Sequence, residues 1–424
     1  MNTIRQNIRA VLLVSCLGAA TCVCGGQPKE FALDDALLEA LRHNAQLQSM
    51  QAKADAMGQR PASAGALPNP MFKYSGMDAA DGGKFPNTME KRFMVEQEFP
   101  WSGKRGLREN IAKKDAEAMV RDFDAATLDV VMAVKEAYFE LRATRDVIAI
   151  TRNEEDILRR VEKSAEAMNV TGQRSQQDVL KAQTEIAMLK PNLLALAARE
   201  TELQSKLNEL MNRDPKEPVG TAVTSPRREI AANVELLIAR AEKLRPEVLG
   251  AQTQIERAGA EHSLMAKESR PDYRLGIEYR SIENDADQIM FTVGFDLPFW
   301  HEKNHALVRE SAMMIESGKS ALESAQRQAA SETLSTFAKL DAALKTLDLY
   351  RTDLIPLAEA TFHASESAYQ TGKVEFFELL ESERSLLNVR TMAAMAEAET
   401  GMQFARLERA VGTDLNPGAA EGKP

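Results

Sequence analysis

Apolar residues recur at spacings of three and four over most of this chain, and at a strict spacing of two in only four short stretches. The longer period predicts helices over about 31–58, 103–170 and 174–212, and again over about 229–268, 302–370 and 374–411. One seam runs Leu128, Val131, Val134, Tyr138, Leu141, then Leu158, Val161, Ala165 and Met168. Its later counterpart runs Phe337, Leu340, Leu344, Leu347, then Leu354 and Leu357. Each is a narrow apolar stripe on a polar rod, the pattern of coiled-coil packing rather than of a helix buried all round. A helix over 103–170 spans about 100 Å at 1.5 Å per residue, longer than a compact soluble domain needs. Pro191 and Pro356 fall inside helical stretches, where a missing N–H and a ring clash predict a kink or an interruption.

The period-two stretches predict strands over about 69–78, 91–101, 272–282 and 287–300. In the first, Phe72 and Tyr74 share a face. In the second, Phe93, Val95 and Phe99 oppose Met94, Glu96 and Glu98. In the third, Tyr273, Leu275, Ile277 and Tyr279 oppose Arg274, Glu278 and Arg280. In the fourth, Ile289, Phe291, Val293, Phe295 and Leu297 oppose Thr292, Gly294 and Asp296. A single hairpin of this kind would suit a small sheet laid on a core. Here charge occupies the far face of several strands, and Trp101, Tyr279, Phe299 and Trp300 stand at the apolar ends, as in an interfacial aromatic girdle. A tilted strand of roughly 9–11 residues crosses a bilayer. Four strands cannot close a barrel, and an open edge in lipid leaves backbone groups unpaired. The chain is therefore expected to combine with copies of itself, three of which give twelve strands. Pro100 ends the second strand at the membrane surface, and Ser102–Gly106 turns the chain into the long helix.

Self-comparison shows a tandem duplication. Thr171-Gly172 recurs as Thr371-Gly372, Asp178 and Leu180 as Glu378 and Leu380, and Asp214 as Asp414, all offset by 200. Near the strand ends Pro100 faces Pro298, offset by 198. The organisation that follows is a leader (1–26), a first repeat (27–214), a linker (215–228), a second repeat (229–412) and a small, polar, disordered tail (413–424).

Composition narrows the function. Aromatics are only 5% of the chain against 44% apolar residues, which suits long helices packed on small side chains. The net charge is −10, and removing the leader takes off Arg5 and Arg9 and no acids. So acidic a body argues against nucleic acid, whose binding rests on cations neutralising phosphates. Cys16, Cys22 and Cys24 all lie in the leader, so the body has no disulfide and no thiolate metal site. Arg5, Arg9 and an apolar run from Ala10 to Val23 read as a secretory signal. Leu13-Val14-Ser15-Cys16 resembles a lipobox, so lipidation of Cys16 and ordinary cleavage near residues 24–26 both stay open. No cofactor is expected.

The duplication, the two strand pairs and the stretches Asn169–Gln183 and Tyr369–Glu383 resemble the TolC-type outer membrane factors over essentially the whole mature chain. The FPWSGKRG turn resembles their heavy-metal branch. The resemblance implies a mainly α chain with a small β part. Its long antiparallel coiled-coil helices build a trimeric periplasmic tunnel, and its four strands join a shared twelve-stranded outer-membrane β-barrel. It implies a passive duct of a tripartite efflux pump, not an enzyme. The partners are a periplasmic adaptor (membrane fusion) protein, an inner-membrane transporter of the resistance-nodulation-division type, and outer-membrane lipid. Glu378 and Glu381 then stand where the family places acidic rings, and Asp178 and Tyr369 where it places gate-holding contacts. The chain departs from the pattern at Val374, where an arginine would complete an interchain ion pair; Arg174 holds the equivalent offset in the first repeat. The tips Thr171, Gly172 and Gln173, with Thr371, Gly372 and Lys373, are implied to dock the adaptor.

Physical chemistry agrees on the ring: three copies of Glu378 at a narrow tip repel one another and attract cations, although a solvated helix face would carry the same residues. Two other readings compete. His301-Glu302-Lys303-Asn304-His305 is a formal H-E-x-x-H, the zinc-protease pattern. It falls on a strand-to-helix turn with no third ligand nearby, which leaves His301 and His305 at most a metal contact on the tunnel wall. A periplasmic coiled-coil scaffold would share the helices but not lipid-facing strands. For cargo, metal cations lead and drugs or other small molecules follow. Met71, Met77, Met89 and Met94 suit soft monovalent copper or silver, and equally suit pliable packing.

Overall fold

The computed structural model describes residues 30–77, 90–172, 174–222, 233–282 and 285–415. The leader with Cys16, together with Met89, Gln173 and the tail beyond residue 415, lies outside the described residues.

Each repeat opens on two helices where one was expected. In the first, α1 (Leu33–His43) and α2 (Ala45–Ala64) part at Asn44. In the second, α5 (Val234–Leu244) and α6 (Pro246–Glu268) part at Arg245. The Asn44 side chain accepts the Leu47 N–H at 3.1 Å and so caps α2, while its amide donates to the Leu210 carbonyl at 2.9 Å. Pro246 has no N–H to contribute to a continuing helix, yet fits the first position of a new one.

The rods follow. α3 (Lys104–Val170) is unbroken over 67 residues, about 100 Å, and returns as α4 (Gln176–Leu210). Contrary to expectation, α4 passes Pro191 without a break. Pro191 and Ala187, whose carbonyl it leaves without a helical partner, are both exposed, so water can take the place of the lost bond. In the second repeat the interruption does occur. α7 (His301–Leu349) passes into a π turn, Tyr350–Leu354, before α8 (Ile355–Gln370) begins with Pro356 in its second position. The wider turn makes room for the ring and for the Thr352 carbonyl that it cannot bond. α9 (Phe376–Val411) closes the repeat.

The two repeats interlock because α9 lies antiparallel along α3. Arg142 pairs with Glu397 at 2.7 Å, Arg406 with Glu136 at 2.6 Å, and buried Lys135 with buried Glu408. Tyr138, 1% exposed, centres the first repeat's core and donates to the Phe31 carbonyl at 2.9 Å. That carbonyl belongs to β1 (Glu30–Phe31), a two-residue strand paired in parallel with β4 (Thr221–Ala222), inside what the sequence reads only as a linker.

The remaining strands are β2 (Met71–Met77), β3 (Glu90–Phe99), β5 (Asp272–Ile282) and β6 (Gln288–Asp296), antiparallel in the order β2-β3-β5-β6. The register Phe72↔Val95↔Ile277↔Phe291 aligns the apolar alternation of all four, so one face is predominantly apolar, with Lys91 and Gln97 among its residues, and the other is rich in charge. The rods hang from this sheet through Lys104. Its ammonium is buried, 3.0 Å from Asp272 and 3.3 Å from Glu268, and donates to the Arg270 carbonyl at 3.1 Å. Gly103, at φ 86°, makes the turn that aims it inward.

Candidate functional site at the helical tips

At the end of each rod the chain reverses through matching turns. Gly172 and Gly372 adopt φ 73° and 74°, the left-handed conformation that ends a helix. Thr171 donates back to Met168 at 3.0 Å, and Thr371 to Ala368 at 3.1 Å. Ser175 then caps α4 by accepting the Gln177 N–H at 3.1 Å. Lys373 is exposed beside Gly372.

The two turns share one apolar core. Leu158, Val161 and Ala165 of α3 meet Val179, Ala182 and Ile186 of α4, and both meet Phe362, Tyr369, Phe376 and Leu379 of the second hairpin. Tyr369 is 1% exposed and packs edge-on against Phe376 with centroids 5.4 Å apart. Its hydroxyl lies 3.5 Å from an Asp178 carboxylate oxygen, at the limit of a hydrogen bond. Burial, with the nearby Asp178 charge, pushes the Tyr369 phenol up to about 12. Arg174 stacks its guanidinium over the Tyr369 ring at 4.9 Å and donates to the Val374 carbonyl at 2.7 Å. Three of the named polar residues, Arg174, Asp178 and Tyr369, therefore meet in one clamp that ties the first tip to the second. Arg384 of α9 and Glu185 of α4 add a further ion pair between the two hairpins.

Glu378 and Glu381 are not part of that clamp. Both are exposed, and neither makes an ion pair with the described residues of its own chain. Their position in the first turns of α9 leaves the carboxylates in solvent.

Above the tips, the α3–α9 seam holds two buried carboxyls that sequence reasoning missed. Glu154 is 1% exposed and Glu383 is 2%, and each has an Oε1 without a hydrogen-bond partner among the described residues. Burial pushes the Glu154 carboxyl up to about 7, against the opposing charges of Arg390 and Arg160. A glutamate at a helical seam position is the only sequence signal that could have found them.

The other candidates lie far along the rods. His301 and His305 sit exposed in the first turn of α7, and the described residues contain no group of three or more His, Cys, Asp or Glu side chains fit for a metal. Trp101, Phe299 and Trp300 are exposed at the sheet end that joins the helices. Tyr279 stands at the opposite end, paired with Phe93 and Ile289, so the four do not form one girdle. Two aromatic rows result: Tyr74–Phe93–Tyr279, with centroids 5.0 and 6.3 Å apart, and stacked Phe99–Tyr273 at 5.6 Å. They lie about 20 Å apart along the strand at 3.3–3.4 Å per residue. No helix among the described residues is long and apolar enough to cross a membrane.

Comparison with known proteins bears on this arrangement. A family model described as outer membrane efflux protein matches residues 36–213 and 237–413. The cobalt-zinc-cadmium resistance protein CzcC of Cupriavidus metallidurans is 22% identical over 396 residues, 91% of this chain and 92% of that protein. The crystal structure of CusC superposes with a TM-score of 0.78 at 17% identity, covering 90% of this chain and 92% of the other. The open state of the Neisseria gonorrhoeae MtrE outer membrane channel gives 0.75 at 19% identity, covering 91% and 89%.

Proposed function

Because the chain belongs to the outer membrane efflux protein family, we propose that it is the passive trimeric exit duct of a tripartite pump, closed at its periplasmic tips by the Arg174–Tyr369–Asp178 clamp and exporting heavy-metal cations. It is an outer-membrane channel and not an enzyme. Three copies contribute four strands each to one barrel, and the long helices form the periplasmic tunnel. One observation carries the gate reading: one buried cluster joins the two hairpins, while Glu378 and Glu381 on the same tip are exposed and make no close ion pair among the described residues. Threefold symmetry makes those carboxylates acidic rings that attract cations. The turns at Gly172 and Gly372 offer the exposed surface on which an adaptor protein docks, with an inner-membrane transporter of the resistance-nodulation-division type behind it. A partner that binds the open tip better than the closed one supplies the opening energy.

The cargo reading rests on the FPWSGKRG turn and on similarity to a cobalt-zinc-cadmium resistance protein along nearly the whole chain. A deletion strain grown against Zn²⁺, Co²⁺, Cd²⁺ and Ag⁺ tests it. Loss of resistance to at least one metal, restored by the intact gene, is expected. Unchanged metal tolerance with new sensitivity to organic antimicrobials would reassign the cargo and leave the duct standing.

A further inference from the structure

The sheet sorts its apolar residues by type. The apolar face carries Phe, Tyr, Val, Leu and every isoleucine of these strands except Ile282, together with Lys91 and Gln97, and it carries no methionine. All four methionines of the described strands, Met71, Met77, Met94 and Met290, fall on the charged face. Methionine used as packing would be expected on the side that meets lipid. Here the thioethers stand among Glu96, Arg274 and Arg280, on the face that lines the lumen in the proposed duct, and Met71, Met77 and Met290 are exposed.

Register brings them together. Lys73, Met94, Glu278 and Met290 form one row across the four strands. Met94 and Met290 are two strands apart, roughly 10 Å at their Cα atoms given about 4.8 Å per strand, within joint reach of two flexible side chains. Gly276, next along the same face of β5, makes room: a Cβ there would lie 3.1 Å from the Met94 methyl. Met71 is the diagonal neighbour of Met94, since it pairs with Glu96. β2 and β6 are the outer strands of the sheet, so closing the barrel sets Met290 of one protomer beside β2 of the next.

We propose that Met94, Met290 and Met71, with the Glu278 carboxylate, form a soft-cation site in the barrel lumen, taking a monovalent thioether-preferring ion such as Ag⁺ or Cu⁺. Charge does not select the ion. Lys73 heads the same row and Arg92 lies 4.0 Å from Glu278, so a hard divalent cation gains little there. Thioether sulfur binds soft monovalent ions on its own account. The inference rests on the duct reading, because it needs this face to line a lumen.

The test is calorimetric titration of the detergent-solubilised trimer with AgNO₃ in chloride-free buffer, for the wild type and for Met94→Leu/Met290→Leu. Leucine keeps the volume and removes the sulfur. The wild type is expected to bind Ag⁺ saturably, with at least tenfold weaker binding in the variant and no difference for Zn²⁺. Absent saturation in the wild type, or equal Ag⁺ affinity in both proteins, overturns the proposal. Should the double variant fail to assemble, Met290→Leu on the outer strand carries the test with the same expected direction. Failure of the Ag⁺ proposal leaves the duct reading intact, since single-channel conductance of the reconstituted trimer tests that separately.

Discussion

Gly172 and Gly372 reverse the chain at nearly identical φ angles, and the threonine before each closes onto its own helix in the same way. Six residues beyond each glycine the likeness ends. Asp178 turns toward a buried tyrosine of the other hairpin, whereas Glu378 faces solvent with no ion-pair partner among the described residues. Two residues beyond each glycine, Arg174 reaches across the tip while Val374 offers only its carbonyl. Duplication supplied two equivalent turns, and the side chains then divided the work. The first tip holds the second, and the second presents charge. Backbone geometry is what the copies share, because a helical reversal has few solutions. Nothing constrains the exposed positions to match.

Removing the shared centre should break the comparison most severely. Tyr369→Ala takes a buried ring from between the hairpins and is expected to cost about 3–5 kcal/mol of local stability, as large-to-small core changes do. Hydrogen exchange should then accelerate at both tips together. Acceleration at the second tip alone would mean that the hairpins are not joined.

The seam above the tips should respond to pH. Glu154 has a carboxyl raised from 4.5 to about 7 in the fold, so the folded seam holds its proton where the unfolded chain has lost it. Its contribution is therefore full below about pH 4.5 and is lost as pH rises to about 7. The effect is on the order of 3 kcal/mol, at 1.36 kcal/mol per pH unit. Both tips should be better protected at pH 5 than at pH 8, and Glu154→Gln should flatten that difference. A seam equally stable at both pH values in the wild type would refute the burial argument.

The smallest effect on stability, and the one that separates the tips, is Glu378→Gln with Glu381→Gln. Exposed carboxylates contribute within about 0.5 kcal/mol, so melting should not move. Cation selectivity of the reconstituted channel should fall. Unaltered selectivity would make these glutamates an ordinary solvated face.

How much of this was legible in the sequence depends on what each residue faces. The four strands and their shared inner and outer faces were readable because a sheet between lipid and water imposes a strict alternation. The long rods were readable from their seams. The breaks at Asn44 and Arg245 were not, because an asparagine cap looks like any polar helix position until its partner is placed. Pro191 and Pro356 look alike in sequence and both stand exposed, yet the helix runs through the first and widens into a π turn ahead of the second, a difference that nothing at the proline positions themselves encodes. Lys104 reads as one cation in a turn; only the approach of Asp272 and Glu268, more than 160 residues away, makes it an anchor. At the tips, resemblance pointed to Asp178 and Tyr369. The acceptor for Arg174 is a backbone carbonyl, which carries no mark of residue type and could not have been named beforehand.

The most direct test of a clamped duct is single-channel conductance in planar bilayers for the wild type and Arg174→Ala. Losing the bond to the Val374 carbonyl and the stacking on Tyr369 removes about 1–3 kcal/mol from the closed tip. Conductance should rise several-fold, with the trimer and its melting in detergent otherwise unchanged. An intact Arg174→Ala trimer that conducts no better than the wild type would contradict the assignment of the gate to this cluster.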